Sequence, residues 1–331
     1  MAVKVAINGL GRIGRCVARI IANRDDVELV AVNASGEHSM IEYGLKYDSV
    51  HGVRDDVKCE DGFLFIGDEK AKILSDRDPA KLDFATYGAE VVLECTGAFL
   101  TTESVKVYLE NGIKKVVLSA PAKDDTPTFV IGANEDSYNG ENIVSNASCT
   151  TNGLAPVAKV LDDNFGIEKG LMTTIHSYTG SQPILDAKHK KDRRKARSGA
   201  TNLVPASTGA AKAISKVMPQ LKGKLNGQAI RVPTPNVSMV DLTVTLNKNV
   251  TLEEVQNSFL EAQDGAMKGI LAVDIEERVS SDFIGETNST VVPIDTIQVV
   301  GDNMVKVLSW YDNEWGYSMR LVDMAVLVSS K

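Results

Sequence analysis

Only four cysteines occur in the 331 residues, and no two are spaced as C-x-x-C. Cys16, Cys59, Cys95 and Cys149 form neither a disulfide framework nor a zinc site, and the sequence has no His-rich tract, so no metal is expected. Four scattered thiols suit a reducing, cytoplasmic compartment with at most one special cysteine. No apolar run approaches the roughly 20 residues of a membrane helix, so no membrane partner is expected. The start lacks a basic segment, an apolar block and a small-residue cleavage site; Ala2–Gly9 already reads as a buried strand entering a glycine turn. Basic side chains are the minority, 36 against 44 acidic ones, for a formal charge of −8. That balance argues against nucleic acid as a primary partner, because such proteins need a basic face to displace phosphate counterions. A small anionic substrate held by a local basic cluster remains compatible with it. There is no internal repeat or low-complexity tract. With 43% apolar and 24% charged residues the chain is an ordinary globular protein, and its length suggests two domains at about 150 residues each.

Hydrophobic patterning divides the chain near Cys149. Before it, short β-branched runs (Val3–Ile7, Leu29–Val32, Val91–Cys95, Lys115–Leu118, Phe129–Ile131, Ile143–Val144) alternate with helical patterns at Ile13–Asn23 and Thr101–Asn111. That alternation implies α/β architecture, a Rossmann-type doubly wound parallel sheet covered on both faces. After it, helices are expected at Thr151–Asn164, Ala210–Met218 and Leu252–Asp264, the last with a Thr251/Glu254 capping box. Long strand-like runs, Leu171–Tyr178, Ala229–Val232, Ser238–Leu246, Thr296–Val300 and Val305–Tyr311, outnumber them. They point to an α+β catalytic domain with a large, mostly antiparallel sheet. The expected boundaries are 1–148, 149–311, and a terminal segment 312–331 whose helix packs back on the first domain.

Gly9-Leu10-Gly11-Arg12-Ile13-Gly14 matches G-x-G-x-x-G between a predicted strand and a predicted helix. Glycines there let backbone amides approach a pyrophosphate at the positive helix end, so a dinucleotide is the expected cofactor. The acid that usually follows about 20 residues later is missing: the second strand ends Val32-Asn33-Ala34-Ser35-Gly36. Either Asn33 or Glu37 takes over its bond to the ribose, or the ribose carries a phosphate. Cys149, in Ser148-Cys149-Thr150-Thr151, begins a predicted helix, a position that favours a thiolate. Cys16, Cys95 and Cys59 fall in or beside apolar runs, where inert thiols are expected. His176 lies on a strand among Thr, Ser and Tyr, and a Cys–His pair would activate the sulfur and later move a proton. Arg231 before Pro233, and Ser207-Thr208-Gly209 before a helix, are candidate phosphate grips. The basic run Lys188–Arg197 is a solvated loop or a counter-charge for an anionic ligand.

Taken together, these residues resemble the phosphorylating glyceraldehyde-3-phosphate dehydrogenases over essentially the whole chain. The resemblance also rests on Lys46-Tyr47-Asp48-Ser49-Val50-His51-Gly52, Ser145 through Asn152, His176 through Thr179, Arg231 through Asn236 and Trp310 through Glu314. It implies reversible conversion of glyceraldehyde 3-phosphate and inorganic phosphate to 1,3-bisphosphoglycerate, in glycolysis and gluconeogenesis, through a Cys149 thioester with His176 as base and NAD and/or NADP as hydride acceptor. Ser148, Thr150, Thr208 and Gly209 match the family's site for attacking phosphate. Thr179 and Arg231 match the site for the substrate's own phosphate, with Arg194 or Lys195 beside them. Gly9, Gly11, Arg12, Ile13, Gly14, Ala34, Ser35, Arg77, Ser119 and Asn313 match cofactor contacts. The family is typically a homotetramer, in which Lys188 would lie near a neighbouring subunit's cofactor.

Three departures stand out. Ala34 occupies the place of the ribose-binding Asp of NAD-specific members. Ser181 stands where many bacterial members have Asp, and Lys195 replaces one of two adjacent arginines, with one residue inserted before it. A sister enzyme acting on erythrose 4-phosphate is the nearest alternative, and the intact Ser207-Thr208-Gly209 argues against it. A catalytically dead scaffold that binds RNA or a partner through Lys188–Arg197 would have lost part of the set Cys149, His176, Thr179 and Arg231, all of which are present.

Overall fold

The computed structural model describes residues 2–189 and 192–331; Lys190 and Lys191 of the basic run lie outside the described residues. The chain divides into two compact units, one holding the chain up to Ser148 together with Ser318–Lys331, the other Cys149–Tyr317. Among the described residues no helix is long and apolar enough to cross a membrane.

The first unit is built on eight strands, in spatial order Ile143–Ser145, Lys115–Leu118, Val91–Glu94, Val3–Asn8, Val27–Asn33, Glu69–Leu74, Phe63–Ile66 and Val57–Glu60. The first six are parallel. Their centres are apolar on both faces because both faces are covered: Val5, Ala6, Ile7, Val91, Val92, Leu93, Val116, Val117 and Leu118 are all fully buried. The chain winds outward in both directions from Val3–Asn8, which puts a topological switch point at the carboxyl ends of Val3–Asn8 and Val91–Glu94. Open α/β sheets bind ligands at such a point.

The expected doubly wound parallel sheet forms, and it is extended at one edge by antiparallel strands. Glu69–Leu74, Phe63–Ile66 and Val57–Glu60 form an antiparallel meander on its edge. Asp61 and Gly62, with φ of 51° and 78°, make the first of its tight turns. The expected strand Phe129–Ile131 does not form; Thr128 alone bridges Ser145. The Asn134 side chain takes over the ladder there, accepting from Val130 N at 2.8 Å and donating to Thr128 O at 3.0 Å, and this turns the chain away. The last helix is Trp315–Ser329, and its part from Ser318 onward belongs to the first unit, where Tyr138 OH donates to Val328 O at 3.0 Å.

The second unit carries a seven-strand path, Val204–Ser207, Leu225–Val232, Ile167–Ser177, Ser238–Leu246, Met304–Tyr311, Thr290–Pro293 and Leu271–Asp274, with Gln298–Val300 beside Met304–Tyr311. Two of its pairings are parallel and the rest antiparallel. Ser238–Leu246 alternates strictly between buried and half-buried residues, as a strand with one covered face does. The covering helix is Cys149–Phe165, almost wholly buried through its first thirteen residues. It approaches Met304–Tyr311 so closely that a Cβ on Gly153 would stand 2.9 Å from Cγ of Tyr311.

Gly153→Ala is therefore expected to destabilise this unit by about 1–3 kcal/mol through overpacking. Thermal or denaturant unfolding measures the loss, and an unchanged midpoint would contradict the close contact.

Candidate active site

In the first unit the carboxyl ends of the strands surround a cleft of about 430 Å³, lined among others by Gly9, Gly11, Ala34, Ser35, Asp76 and Arg77. The glycines fit a dinucleotide for separate reasons. Gly9 has φ +98° and lies against Thr96, which a Cβ would meet at 2.8 Å. A Cβ on Gly14 would stand 2.0 Å from the Gly9 carbonyl oxygen, so no side chain fits where the helix packs under the turn. Nothing lies within 4 Å of where a Gly11 Cβ would be. Gly11 caps the helix Arg12–Ile21 without a side chain, and no acid stands in the first turn, so the helix end suits an anion.

Arg12 is ion-paired with Asp48. Burial alone would raise the Asp48 carboxyl, but Arg12 and the backbone N–H groups of His51 and Val50 hold it well below the usual carboxylate range. Ile13 is half-buried in the same turn. Ser119 lies outside the cleft lining, half-buried at the end of the next strand but one and hydrogen-bonded to Cys95.

The cleft bears on both substitutes for the missing acid. Asn33 Nδ2 donates to Asn8 Oδ1 at 2.7 Å and to Asp76 O at 2.8 Å, and its Oδ1 accepts from Asp76 N at 3.0 Å. That amide is committed to holding the fold. Glu37 lies beyond Gly36, exposed, at the N-cap of the helix His38–Lys46 and outside the cleft lining. The acid that does face the cleft is Asp76, from another strand end, and nothing in the sequence pattern singled it out.

The second unit brings Cys149, His176 and Arg231 together. Cys149 is the first residue of its helix, which the chain enters through Ala147 in the left-handed region at φ +56°. Cys149 Sγ is 3.5 Å from His176 Nε2. His176 and Arg231 are register partners on adjacent parallel strands. His176 Nδ1 lies 2.7 Å from Ser177 O and 2.8 Å from Arg231 Nη1, which itself donates to Ser177 O at 3.0 Å. The imidazole can take a proton on Nε2 in the tautomer whose Nδ1–H donates to Ser177 O. Burial, and then the Arg231 charge, push His176 down to about 3, so it is neutral at physiological pH.

Burial also pushes the Cys149 thiol up, against the lowering by Arg231 and by hydrogen bonds from Thr150. This corrects the expectation from the helix start: the helix end and the hydroxyl do favour a thiolate, but desolvation is larger. Thr150 Oγ1 shares a hydrogen bond with Tyr311 OH at 2.9 Å, which in turn meets Thr174 Oγ1 at 2.7 Å. The Tyr311 ring stands edge-on to His176 at 6.0 Å. Tyr311 thus belongs to this centre, and its role was not legible because a strand-end tyrosine has no local signature.

The remaining candidates are placed as follows. Thr179 Oγ1 is 2.9 Å from Ser181 Oγ. Thr208 Oγ1 accepts from Ala210 N at 3.1 Å, one residue before the N-cap Gly209 of the helix Ala210–Val217, which packs on the Cys149 helix. Ser148 closes the first unit, directly before Cys149. Asn313 is buried, its Oδ1 accepting from Ser238 Oγ at 2.7 Å, and Ser238 Oγ accepts from Ser177 N at 3.1 Å. In the basic loop Asp192 Oδ1 accepts from the backbone of Arg194 at 2.9 Å and of Lys195 at 3.3 Å. Arg197 is paired with Asp186 at 2.7 Å, and Lys188 is exposed.

Comparison with known proteins agrees along the whole length. The glyceraldehyde 3-phosphate dehydrogenase NAD binding domain matches residues 3–102, and the C-terminal domain of the same enzymes matches residues 148–313. A glyceraldehyde-3-phosphate dehydrogenase of Priestia megaterium is 52% identical over 334 aligned positions, covering 100% of this chain and 99% of that one. Glyceraldehyde-3-phosphate dehydrogenase 1 of Bacillus subtilis is 52% identical with the same coverage. Glyceraldehyde-3-phosphate dehydrogenase A of Escherichia coli is 49% identical over 330 positions, covering 99% and 100%.

Iodoacetamide is expected to label Cys149 before the other thiols: Cys16 is buried, desolvation pushes Cys59 up to about 11, and burial raises Cys95 further. Only the thiolate reacts, so the rate rises with pH, and His176→Asn slows it throughout the neutral range. Peptide mass spectrometry identifies the site; earlier labelling of Cys59 or Cys95, or an unaltered rate in His176→Asn, would contradict the pairing.

Proposed function

Because the chain belongs to the glyceraldehyde-3-phosphate dehydrogenase family, we propose that it converts glyceraldehyde 3-phosphate and inorganic phosphate to 1,3-bisphosphoglycerate in the cytoplasm, with NAD or NADP as hydride acceptor. The observation that carries this reading is the 3.5 Å approach of Cys149 Sγ to the Nε2 of a neutral, buried His176. Such a pair performs covalent aldehyde chemistry. His176 Nε2 takes the thiol proton, the sulfur attacks the aldehyde carbon, and Nε2 returns that proton to the carbonyl oxygen, giving a thiohemiacetal and a neutral imidazole. His176 then takes the hydroxyl proton as the C–H bond breaks and a thioester forms on Cys149. A phosphate oxygen attacks that thioester, and the Cys149 sulfur leaves with the electron pair. The dinucleotide, when bound, supplies the nicotinamide that accepts the hydride.

Arg231 lowers the cost of negative charge on the sulfur and presents a guanidinium to an anion. Thr179, with Arg194 or Lys195, would share the substrate phosphate. Ser148, Thr150, Thr208 and Gly209 would hold the attacking phosphate, and Asn313 would orient the carboxamide. In the first unit the ribose would face Ala34 and Ser35. With no carboxylate at position 34 a 2′-phosphate meets less repulsion, and Arg77 in the same cleft attracts it, whereas Asp76 opposes it. Use of both cofactors follows, with Lys188 of a neighbouring subunit adding positive charge.

A homotetramer is part of this proposal. Its support is the apolar surface of the second unit: Leu171 is 67% exposed on the sheet face, and Ile184 and Leu185 are 81% and 78% exposed on the loop. Exposed apolar side chains of this size support a surface that another subunit would cover.

Two measurements test the reading. The initial rate with glyceraldehyde 3-phosphate is expected to depend on inorganic phosphate, to exceed that with erythrose 4-phosphate, and to fall by several orders of magnitude in Cys149→Ser. Persistent turnover in Cys149→Ala would end the proposal. Ala34→Asp is expected to restore preference for NAD, and Lys188→Ala to weaken NADP more than NAD, with the difference shrinking at high salt. Wild type using NADP no better than Ala34→Asp would rule out dual use.

A further inference from the structure

Beneath the cleft of the first unit lies a carboxylate with no cation beside it among the described residues. Glu94 ends its strand fully buried, and its hydrogen bonds come from neutral donors. Oε2 accepts from Asn8 Nδ2 at 2.7 Å and from Tyr108 OH at 3.0 Å. Oε1 accepts from Thr96 N at 2.9 Å and from the Thr96 hydroxyl. Burial raises its pKa in spite of these bonds, so the charge costs the fold something that a neutral side chain would avoid. The titratable neighbours are Cys95 and Tyr108, both pushed up by burial and by the Glu94 charge.

The use of that charge is directional. A carboxylate accepts and cannot donate, whereas an amide has one end of each kind. Glu94 therefore forces Asn8 to point Nδ2 toward it and Oδ1 away. Asn8 Oδ1 then accepts from Asn33 Nδ2 at 2.7 Å, which leaves Asn33 Oδ1 to accept from Asp76 N at 3.0 Å. The acceptor-only carboxylate at one end and the Asp76 backbone at the other, which accepts from Asn33 Nδ2 at 2.8 Å, thus give two buried amides in series one sense, from the strand Val91–Glu94 through Val3–Asn8 and Val27–Asn33 to the segment after Glu69–Leu74. Each strand end continues into the cleft: Gly9 and Gly11 follow Asn8, Ala34 and Ser35 follow Asn33, and Arg77 follows Asp76. Thr96, held on the other carboxylate oxygen, is the residue against which Gly9 packs.

We infer that Glu94 is a positioning residue for the dinucleotide: by fixing the direction of the Glu94–Asn8–Asn33 relay it holds the four strand-end segments of the cleft in one arrangement. The inference rests on the reading of this cleft as the cofactor site. Glu94→Gln keeps the shape but presents an NH₂ group to the donors on one side, so the relay loses its single direction. Asn8→Asp sets two carboxylates against each other. The double variant Asn8→Asp with Glu94→Gln exchanges donor and acceptor, and every bond of the relay can form again.

The test is the Kd of NAD for the full chain by isothermal titration calorimetry, beside steady-state kinetics. Glu94→Gln is expected to weaken NAD about tenfold, the scale of one buried hydrogen bond lost, while kcat at saturating NAD stays within about twofold of wild type because Cys149 and His176 belong to the other unit. Asn8→Asp is expected to weaken NAD at least as much, and the double variant to recover most of the loss. Unchanged affinity in Glu94→Gln, a fall in kcat alone, or a double variant no better than Glu94→Gln overturns the inference while wild type still binds NAD. Wild type that binds neither NAD nor NADP overturns the functional reading itself. Should Glu94→Gln fail to fold, the double variant alone decides: recovered folding with NAD affinity near wild type supports the relay, and its failure to fold or bind overturns it.

Discussion

In the second unit, the parallel pairing of Ile167–Ser177 with Leu225–Val232 sets His176 level with Arg231, and the chemistry of the centre depends on that register. A slip of one residue would turn one of the two side chains to the opposite face of the sheet. In the register that forms, Arg231 Nη1 reaches both His176 Nδ1 and Ser177 O. Its charge acts on two groups in the same sense, lowering His176 and opposing the rise that burial imposes on Cys149. The result is a neutral imidazole against a protonated but polarisable thiol.

The helix Cys149–Phe165 meets this sheet through the smallest contact available, Gly153 on the Tyr311 ring. That approach lets Tyr311 bond Thr150 and Thr174 together while its edge faces His176. Packing and polar satisfaction are therefore one feature here. The buried hydroxyl is satisfied by Thr150 and Thr174, and its bond to Thr150 holds the first turn of the helix that presents the cysteine. The first unit solves a similar problem differently. Its strand ends are joined by side-chain amides whose direction is imposed by a buried carboxylate, so the cleft is shaped by polarity as well as by volume.

Much of this was legible along the chain. The parallel core showed itself because strands buried on both faces read as unbroken apolar runs, and the glycine turn because each glycine answers a local steric demand. The Thr251/Glu254 capping box forms as its spacing predicts. The antiparallel meander went unread although its Asp61-Gly62 turn carries a hairpin signal, because Lys58, Glu60, Lys70 and Lys72 obscure the alternation of edge strands with one solvated face. Phe129–Ile131 was the reverse case, with apolar composition suited to a strand and an asparagine five residues downstream of Phe129 that captures the backbone.

By itself the sequence determined which residues carry reactivity and where the parallel core strands and most of the longer helices fall, since those follow from side-chain chemistry and short-range periodicity. Cys149 at a helix start, the glycines of the turn and the missing acid at position 34 are properties of neighbours in the chain. What only the tertiary structure decided involves partners far apart in sequence. It brought His176 Nε2 to Cys149 across 27 positions and Tyr311 to Thr150 across 161. It committed Asn33 to Asp76 and turned Asp76 into the cleft. It also reversed the expected direction for the thiol, because desolvation depends on everything packed around an atom, and no stretch of local sequence encodes that.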